Sequence, residues 1–216
     1  MSIIQGFLVP ASGGPTTLVQ DSYTDTNGTA LSSHTPDVGV AWSVIDRSSN
    51  GTLSIQSNQI NLASGAGGSG TFITHQDTGE TDPTMQIDGG GRTRDGSNNN
   101  GFMGLAFGVT DTDNLWIYSG WTATTTSITW AIYDITTGSF TLRASEVESG
   151  LSSGTFYARQ LKAIVSGSTV TATRDGANEI SYNSYTATSV TEHGTHSFIS
   201  ASVSFTMSGD DYLCTD

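Results

Sequence analysis

Residues 101–110, Gly-Phe-Met-Gly-Leu-Ala-Phe-Gly-Val-Thr, decide the fold. The odd positions Met103, Leu105, Phe107 and Val109 are large and apolar, whereas Gly104, Ala106 and Gly108 between them are small. A period of two marks a strand, because successive side chains point to opposite faces. One face is expected to fill a core, and the small face to let something approach closely.

The same period recurs on both sides. Leu115-Trp116-Ile117-Tyr118 and the runs 128–135, 140–147, 156–165, 169–174 and 197–207 are of strand length, the last with Ile199, Ala201, Val203, Phe205 and Met207 in register. Ser166-Gly167-Ser168 and Arg174-Asp175-Gly176 read as tight hairpins, and Thr136-Thr137-Gly138 joins two further strands. No segment sustains a helical apolar period, which argues against parallel crossovers, and no propeller or solenoid repeat is present. The 216 residues include 63 Ser and Thr, 26 Gly and nineteen aromatic residues. Recurring aromatic and β-branched clusters separate this composition from that of a disordered chain. The reading is all-β: an antiparallel two-sheet jelly-roll sandwich forming one domain.

Seven Lys and Arg face twenty Asp and Glu, a formal charge of -13. Such a surface repels phosphate and anionic lipid, so no nucleic-acid partner and no membrane docking are expected. The single Cys214 excludes an intramolecular disulfide framework and a cysteine-built metal cluster. No apolar run approaches the roughly 18 residues of a membrane span. The start, Met1-Ser2-Ile3-Ile4-Gln5-Gly6-Phe7, reads as no ordinary export signal, which would place the chain inside a cell or release it by lysis or in a particle.

Residues 1–17 differ in character from the rest of the chain. Ile3, Ile4, Phe7, Leu8 and Val9 form an apolar patch, and Gly13-Gly14-Pro15 breaks any regular element. The expectation is an N-terminal arm and linker at 1–17 and a jelly-roll domain at 18–216. The arm either folds over its own sheet or anchors on another chain, where each large side chain buried releases roughly 1.5–3 kcal/mol before ordering costs.

Asp21-Ser22-Tyr23 opens the domain, Asn27-Gly28-Thr29 and Leu31 lead through Pro36-Asp37-Val38-Gly39 to Trp42, and Leu53-Ser54-Ile55 comes next. Gly104-Leu105-Ala106-Phe107, Asp113-Asn114-Leu115-Trp116, the strand and turn at 161–167 and a closing Asp210-Asp211-Tyr212 complete the set. Over about residues 18–216 these features resemble the concanavalin A-like lectin/glucanase jelly roll in its broad, laminin-G-like sense. The resemblance implies that the first and last strands pair, with 21–23 beside 211–213. It speaks to fold more than function, since this architecture hosts lectins, glycosidases, adhesion modules and structural parts.

Glycoside hydrolases of that fold carry a Glu-x-Asp-x-x-Glu-like motif, which is absent. Glu146-Val147-Glu148 puts two carboxylates on one face of a strand about 7 Å apart, and beside Ser149-Gly150 they read as solvated groups at a strand end. No Gly-x-Ser-x-Gly elbow follows a strand and opens a helix. His193 and His196 read as a surface hairpin tip, or as metal ligands if they share a turn. Asp111-Thr112-Asp113-Asn114 is the best oxygen-rich turn, with Asp111 and Asp113 candidate ligands of a structural calcium or plain turn caps. Asp25 with Asn27 and Asp210 with Asp211 are weaker versions. No other cofactor is expected. Gly89-Gly90-Gly91-Arg92-Thr93-Arg94-Asp95-Gly96, running into Asn98-Asn99-Asn100, reads as a mobile or contact-making loop, as does 63–70. A sugar needs an aromatic platform and acceptors for its hydroxyls, and Trp116, Tyr118 and Trp121 beside Asp111, Asp113 and Asn114 are the candidates. Core packing is the competing use of those rings.

These features lead to a non-enzymatic structural protein of a bacteriophage particle, a capsid decoration, head-fibre or tail-surface subunit at the virion surface. It would be held to capsid or tail subunits by Ile3, Ile4, Phe7, Leu8 and Val9, as a homo-oligomer or singly, and would display a lectin-like jelly roll toward cell-surface polysaccharide. The alternative is an extracellular carbohydrate-binding module of a secreted or cell-surface protein, and a third is a glycoside hydrolase of the same fold.

Overall fold

The computed structural model describes residues 14–47, 51–64, 69–97, 99–111, 113–121, 124–186, 189–200 and 205–216. The arm residues Ile3, Ile4, Phe7, Leu8 and Val9 lie outside them. Among the described residues the first strands are β1 (Thr17–Asp21), β2 (Ser43–Asp46), β3 (Gly51–Ile55), β4 (Ile60–Ser64) and β5 (Ser69–Asp77). Then come β6 (Thr84–Arg92), β7 (Asn100–Asp111), β8 (Asn114–Trp121), β9 (Ser127–Thr136) and β10 (Ser139–Ser149). The last five are β11 (Phe156–Ser166), β12 (Thr169–Arg174), β13 (Ala177–Tyr182), β14 (Glu192–Ser200) and β15 (Phe205–Thr215). No α-helix occurs among the described residues, and Leu31–Ser33 forms one 3-10 turn.

The strands make an antiparallel jelly-roll sandwich. One sheet runs β10-β9-β8-β7-β14-β5-β2. The other runs β13-β12-β11-β6-β15-β1, and the β3–β4 hairpin joins the N-terminal half of β15. First and last strands pair as the resemblance implied, with Asp21 opposite Tyr212 and Thr17 opposite Thr215. The core between the sheets sets Leu105, Phe107, Tyr118 and Trp130 against Ile87, Leu161, Val170 and Tyr212.

All three turns expected from sequence close hairpins. Thr137 and Gly138, and again Asp175 and Gly176, both carry positive φ, the backbone a tight right-twisted hairpin requires. Five other expectations are corrected. The 197–207 run is not one strand: β14 lies in the seven-stranded sheet and β15 in the other. Val109 does not share the face of Phe107, because a bulge after Phe107, with Gly108 at φ +59, rotates it into a second cluster on the outward face.

Gly89, Gly90 and Gly91 are not loop but the end of β6, where the two sheets meet through pairing of Gly90–Arg92 with Gly101–Met103. A Cβ at Gly89 would sit 2.4 Å from the Met103 carbonyl oxygen, so bare backbone is what lets the sheets join. Residues beyond Arg92 are organised by Asp95, whose carboxylate accepts the Ser97 and Asn99 amides at 2.8 and 3.1 Å. In 63–70, Ala63 and Ser64 end β4 and Ser69 and Gly70 begin β5. His193 and His196 sit in β14, buried and on opposite faces, rather than at a hairpin tip. The His193 Nδ1 accepts the Gly108 amide at 3.2 Å and its Nε2 donates to the Glu80 carbonyl at 2.8 Å, which sets a neutral tautomer.

Candidate functional site

The strand alternation legible in the sequence also builds the site. On β8, Trp116 and Tyr118 point between the sheets, and Leu115 and Ile117 point outward. Tyr118 lies in mid-strand and is wholly buried, whereas Trp116 lies nearer the open end of the sandwich and keeps 8% of its surface. Its ring packs against Tyr182 (5.6 Å), Tyr185 (5.0 Å, edge-on) and Phe107 (6.5 Å). The Tyr185 amide donates to the Ser168 carbonyl at 2.9 Å, anchoring the segment after β13 across the mouth.

Pairing of β8 with β9 sets Asp134 directly opposite Trp116. The Asp134 carboxylate accepts from Arg143 at 2.6 Å and from the Thr136 hydroxyl at 2.9 Å. A bulge in β10 between Leu142 and Ala144 turns Arg143 inward, where its guanidinium stands 5.9 Å from the Trp116 ring centre and 5.6 Å from that of Tyr182. Beside them lies a half-open pocket of about 290 Å³, lined by Trp116 and Asp134 with Thr110, Asn114, Thr136 and Thr186. An aromatic edge beside hydroxyls, an amide and a carboxylate suits an uncharged polyol, since Arg143 already neutralises Asp134.

Of the six residues expected to bind a glycan, the structure brings Asn114 and Trp116 to this pocket. Asp111 caps the turn, accepting from the Asp113 amide at 2.7 Å and the Asn114 side-chain amide at 2.9 and 3.0 Å. Asp113 pairs with Arg47 at 2.7 Å. Among the described residues no group of three His, Cys, Asp or Glu side chains is placed to hold a metal ion. Tyr118 is core, and Trp121 lies on the other face amid Phe102, Tyr133, Phe140 and Phe198. Sequence reasoning passed over Asp134, Arg143, Tyr182 and Tyr185. The available signal was Asp134 as the lone charge in the strand run 128–135; Arg143 shares the run 140–147 with Glu146.

Glu146 and Glu148 are half-buried and ion-paired rather than freely solvated at a strand end. They project from β10 toward the other sheet, where Arg174 bonds Glu146 at 3.0 Å and Glu148 at 2.7 Å, and Arg159 also bonds Glu148. The Trp130 indole donates to Glu148 at 2.9 Å, and Arg174 stacks 5.3 Å above that ring. Burial pushes the Glu148 carboxyl up, but the bonds from Arg159 and Trp130 and the Arg174 charge outweigh it and leave the group below its ordinary range. This network clamps one edge of the sandwich.

No protein-family model matches the sequence, and no curated protein matches it. Solved structures do match the fold. The carbohydrate recognition domain of Emp47p superposes with a TM-score of 0.58 at 9% identity, covering 94% of this chain and 96% of that one. A protein of unknown function with a galectin-like fold from Bacillus subtilis gives 0.55 at 12% identity, covering 92% and 95%. Botulinum neurotoxin type C, which interacts with two ganglioside molecules, gives 0.53 at 12% identity over 92% of this chain and 47% of that one. The chain is thus a lectin-like jelly roll in architecture.

Proposed function

We propose that this chain is a carbohydrate-binding domain that performs no chemistry of its own, with its ligand seated in the pocket at the mouth of the sandwich. The carrying observation is the convergence there of the Trp116 edge, the Asp134 carboxylate and the hydroxyls of Thr110, Thr136 and Thr186. Support comes from Emp47p, whose matching domain is a carbohydrate recognition domain, and from the neurotoxin that interacts with gangliosides. The arginine pairing of Glu146 and Glu148 argues the same way. A glycosidase acid must hold its proton near neutral pH, and Glu148 is biased toward ionisation. The virion-subunit reading depends on Ile3, Ile4, Phe7, Leu8 and Val9, outside the described residues, and gains no support from the comparisons.

Affinity electrophoresis through gels containing soluble polysaccharides tests the proposal. Retardation by at least one glycan is expected, with Asp134→Ala weakening it about tenfold, since a charged hydrogen bond is worth about 1.5–3 kcal/mol. No reducing ends should be released on incubation. Migration unaffected by every glycan, or an unchanged affinity in Asp134→Ala, would sink the reading.

A further inference from the structure

The outward face of the seven-stranded sheet holds a second cavity. Along β7 this face presents Gly104 and Ala106, and larger side chains from both flanks stand around that low strip: Ile73 and His196 on one side, Leu115, Ile135 and Phe140 on the other. Arg47, just past β2, reaches Asp113 in the β7–β8 turn at 2.7 Å. Those elements stand three strand spacings apart, about 14 Å on a flat sheet. The two nevertheless meet, and Ala106, Ile117 and Ile73 on this face are buried in one apolar cluster. Beneath the strap lies a cavity of about 60 Å³. That is the space of about two waters, room for a substituent and not for a sugar ring.

We propose that this cavity is a subsite for the acetamido group of an N-acetylated amino sugar. The proposal rests on the carbohydrate reading above and names the class of sugar. The two sites share the Leu115 and Ile135 wall at the ends of β8 and β9. The methyl group would lie against Ile73, Leu115 and Ile135, with Phe140, 47% exposed, as the outer wall. The carbonyl would accept from the Arg47 guanidinium, which lines the cavity. At the base is His196, 1% exposed, whose Nδ1 has no hydrogen-bond partner among the described residues. Burial pushes its pKa down to about 3, so the ring is neutral and offers one N–H and one lone pair. A neutral ring matches the polar edge of an amide.

The test uses the full chain carrying methyl-labelled Ile and Thr and indole-labelled Trp, titrated with N-acetylglucosamine and in parallel with glucose to about 50 mM, the range for weak single-sugar affinities. Methyl resonances of Ile73 and Thr71 report this cavity, and the Trp116 indole reports the mouth. Saturable shifts of Ile73 and Thr71 with N-acetylglucosamine alone are expected. Arg47→Ala and Phe140→Ala, at exposed positions that leave the fold intact, should each weaken this binding about five- to tenfold. Equal shifts with glucose would overturn the acetamido assignment. Shifts at Trp116 without any at Ile73 would overturn the subsite and leave the carbohydrate reading standing. Silence at both places with both sugars would overturn the subsite and count against the carbohydrate reading as well.

Discussion

His34 shows how one side chain ties distant parts of this chain together. Its Nε2 contacts the Asp21 carboxylate at 2.9 Å and its Nδ1 that of Asp25 at 3.1 Å, so both ring nitrogens donate and the imidazolium form is favoured. Asp21 also accepts the Trp42 indole at 2.6 Å and the Tyr23 amide at 2.7 Å, which joins β1, the 3-10 turn and the approach to β2. Burial pulls the His34 pKa down, but the bonds to Asp21 and Asp25 outweigh it and raise it above its ordinary value. The bond from His34 chiefly lowers that of Asp25. A raised histidine pKa stabilises the fold fully below the unfolded value of about 6.5 and ceases to do so as pH rises through the folded value. The lowered Asp25 works in the opposite sense, stabilising above about pH 4 and failing as pH falls. The clamp is therefore strongest between about pH 4 and 6.5. His34→Gln should cost about 2 kcal/mol in urea denaturation at pH 5.5 and clearly less at pH 9. A pH-independent difference would mean that His34 only fills space. At this scale the sequence showed which residues can bond but not which meet: Asp21 and His34 were visible, and their contact depends on how 22–33 turns back.

At the scale of the strand, small residues matter as much as large ones. The low face of β7 was expected to admit something, and the neighbour it admits is β8: a Cβ on Gly104 would stand 2.3 Å from the Tyr118 carbonyl oxygen. Gly194 in β14 is tighter, 1.9 Å from the Thr74 carbonyl, whereas Gly96 has nothing within 4 Å. Gly194→Ala and Gly104→Ala should each lose about 3 kcal/mol, the upper range of overpacking, and Gly96→Ala should change stability by less than about 0.5 kcal/mol. Denaturation midpoints decide it; a neutral Gly194→Ala would mean that β14 and β5 can separate at little cost. Strand existence and the hairpin turns were legible because period two and positive-φ turn residues are local properties. The bulge at Gly108, the separation of β14 from β15 and the ion pairing of Glu146 and Glu148 were not, because pairing partners, not local spacing, decide them. The candidate site divides the same way: Trp116 and Asn114 belong to a local motif, whereas Asp134 and Arg143 join them only across β9 and β10.

For the whole molecule, the closing strand pair ties the start of the described chain to its end. The Thr16 amide meets the Asp216 carboxylate at 2.5 Å, and β1 pairs with β15 from Thr17 onward. A chain beginning at Gly14 should melt within about 3 °C of the full one, whereas one beginning at Ser22 loses β1 and the Asp21 bonds and should melt at least about 10 °C lower. Equal losses in both would show that residues 1–13 pack into the domain. By itself the sequence determined the class: β-branched and aromatic residues at period two, separated by turn residues, bury their apolar sides only as packed antiparallel sheets. The charge of -13 equally set the kind of surface the chain presents. Which strand neighbours which, where the sheet curls and which polar groups gather at the mouth belong to the tertiary structure. Those outcomes depend on contacts between residues distant in the chain, whose free energies are realised together only once both sheets have closed on one core.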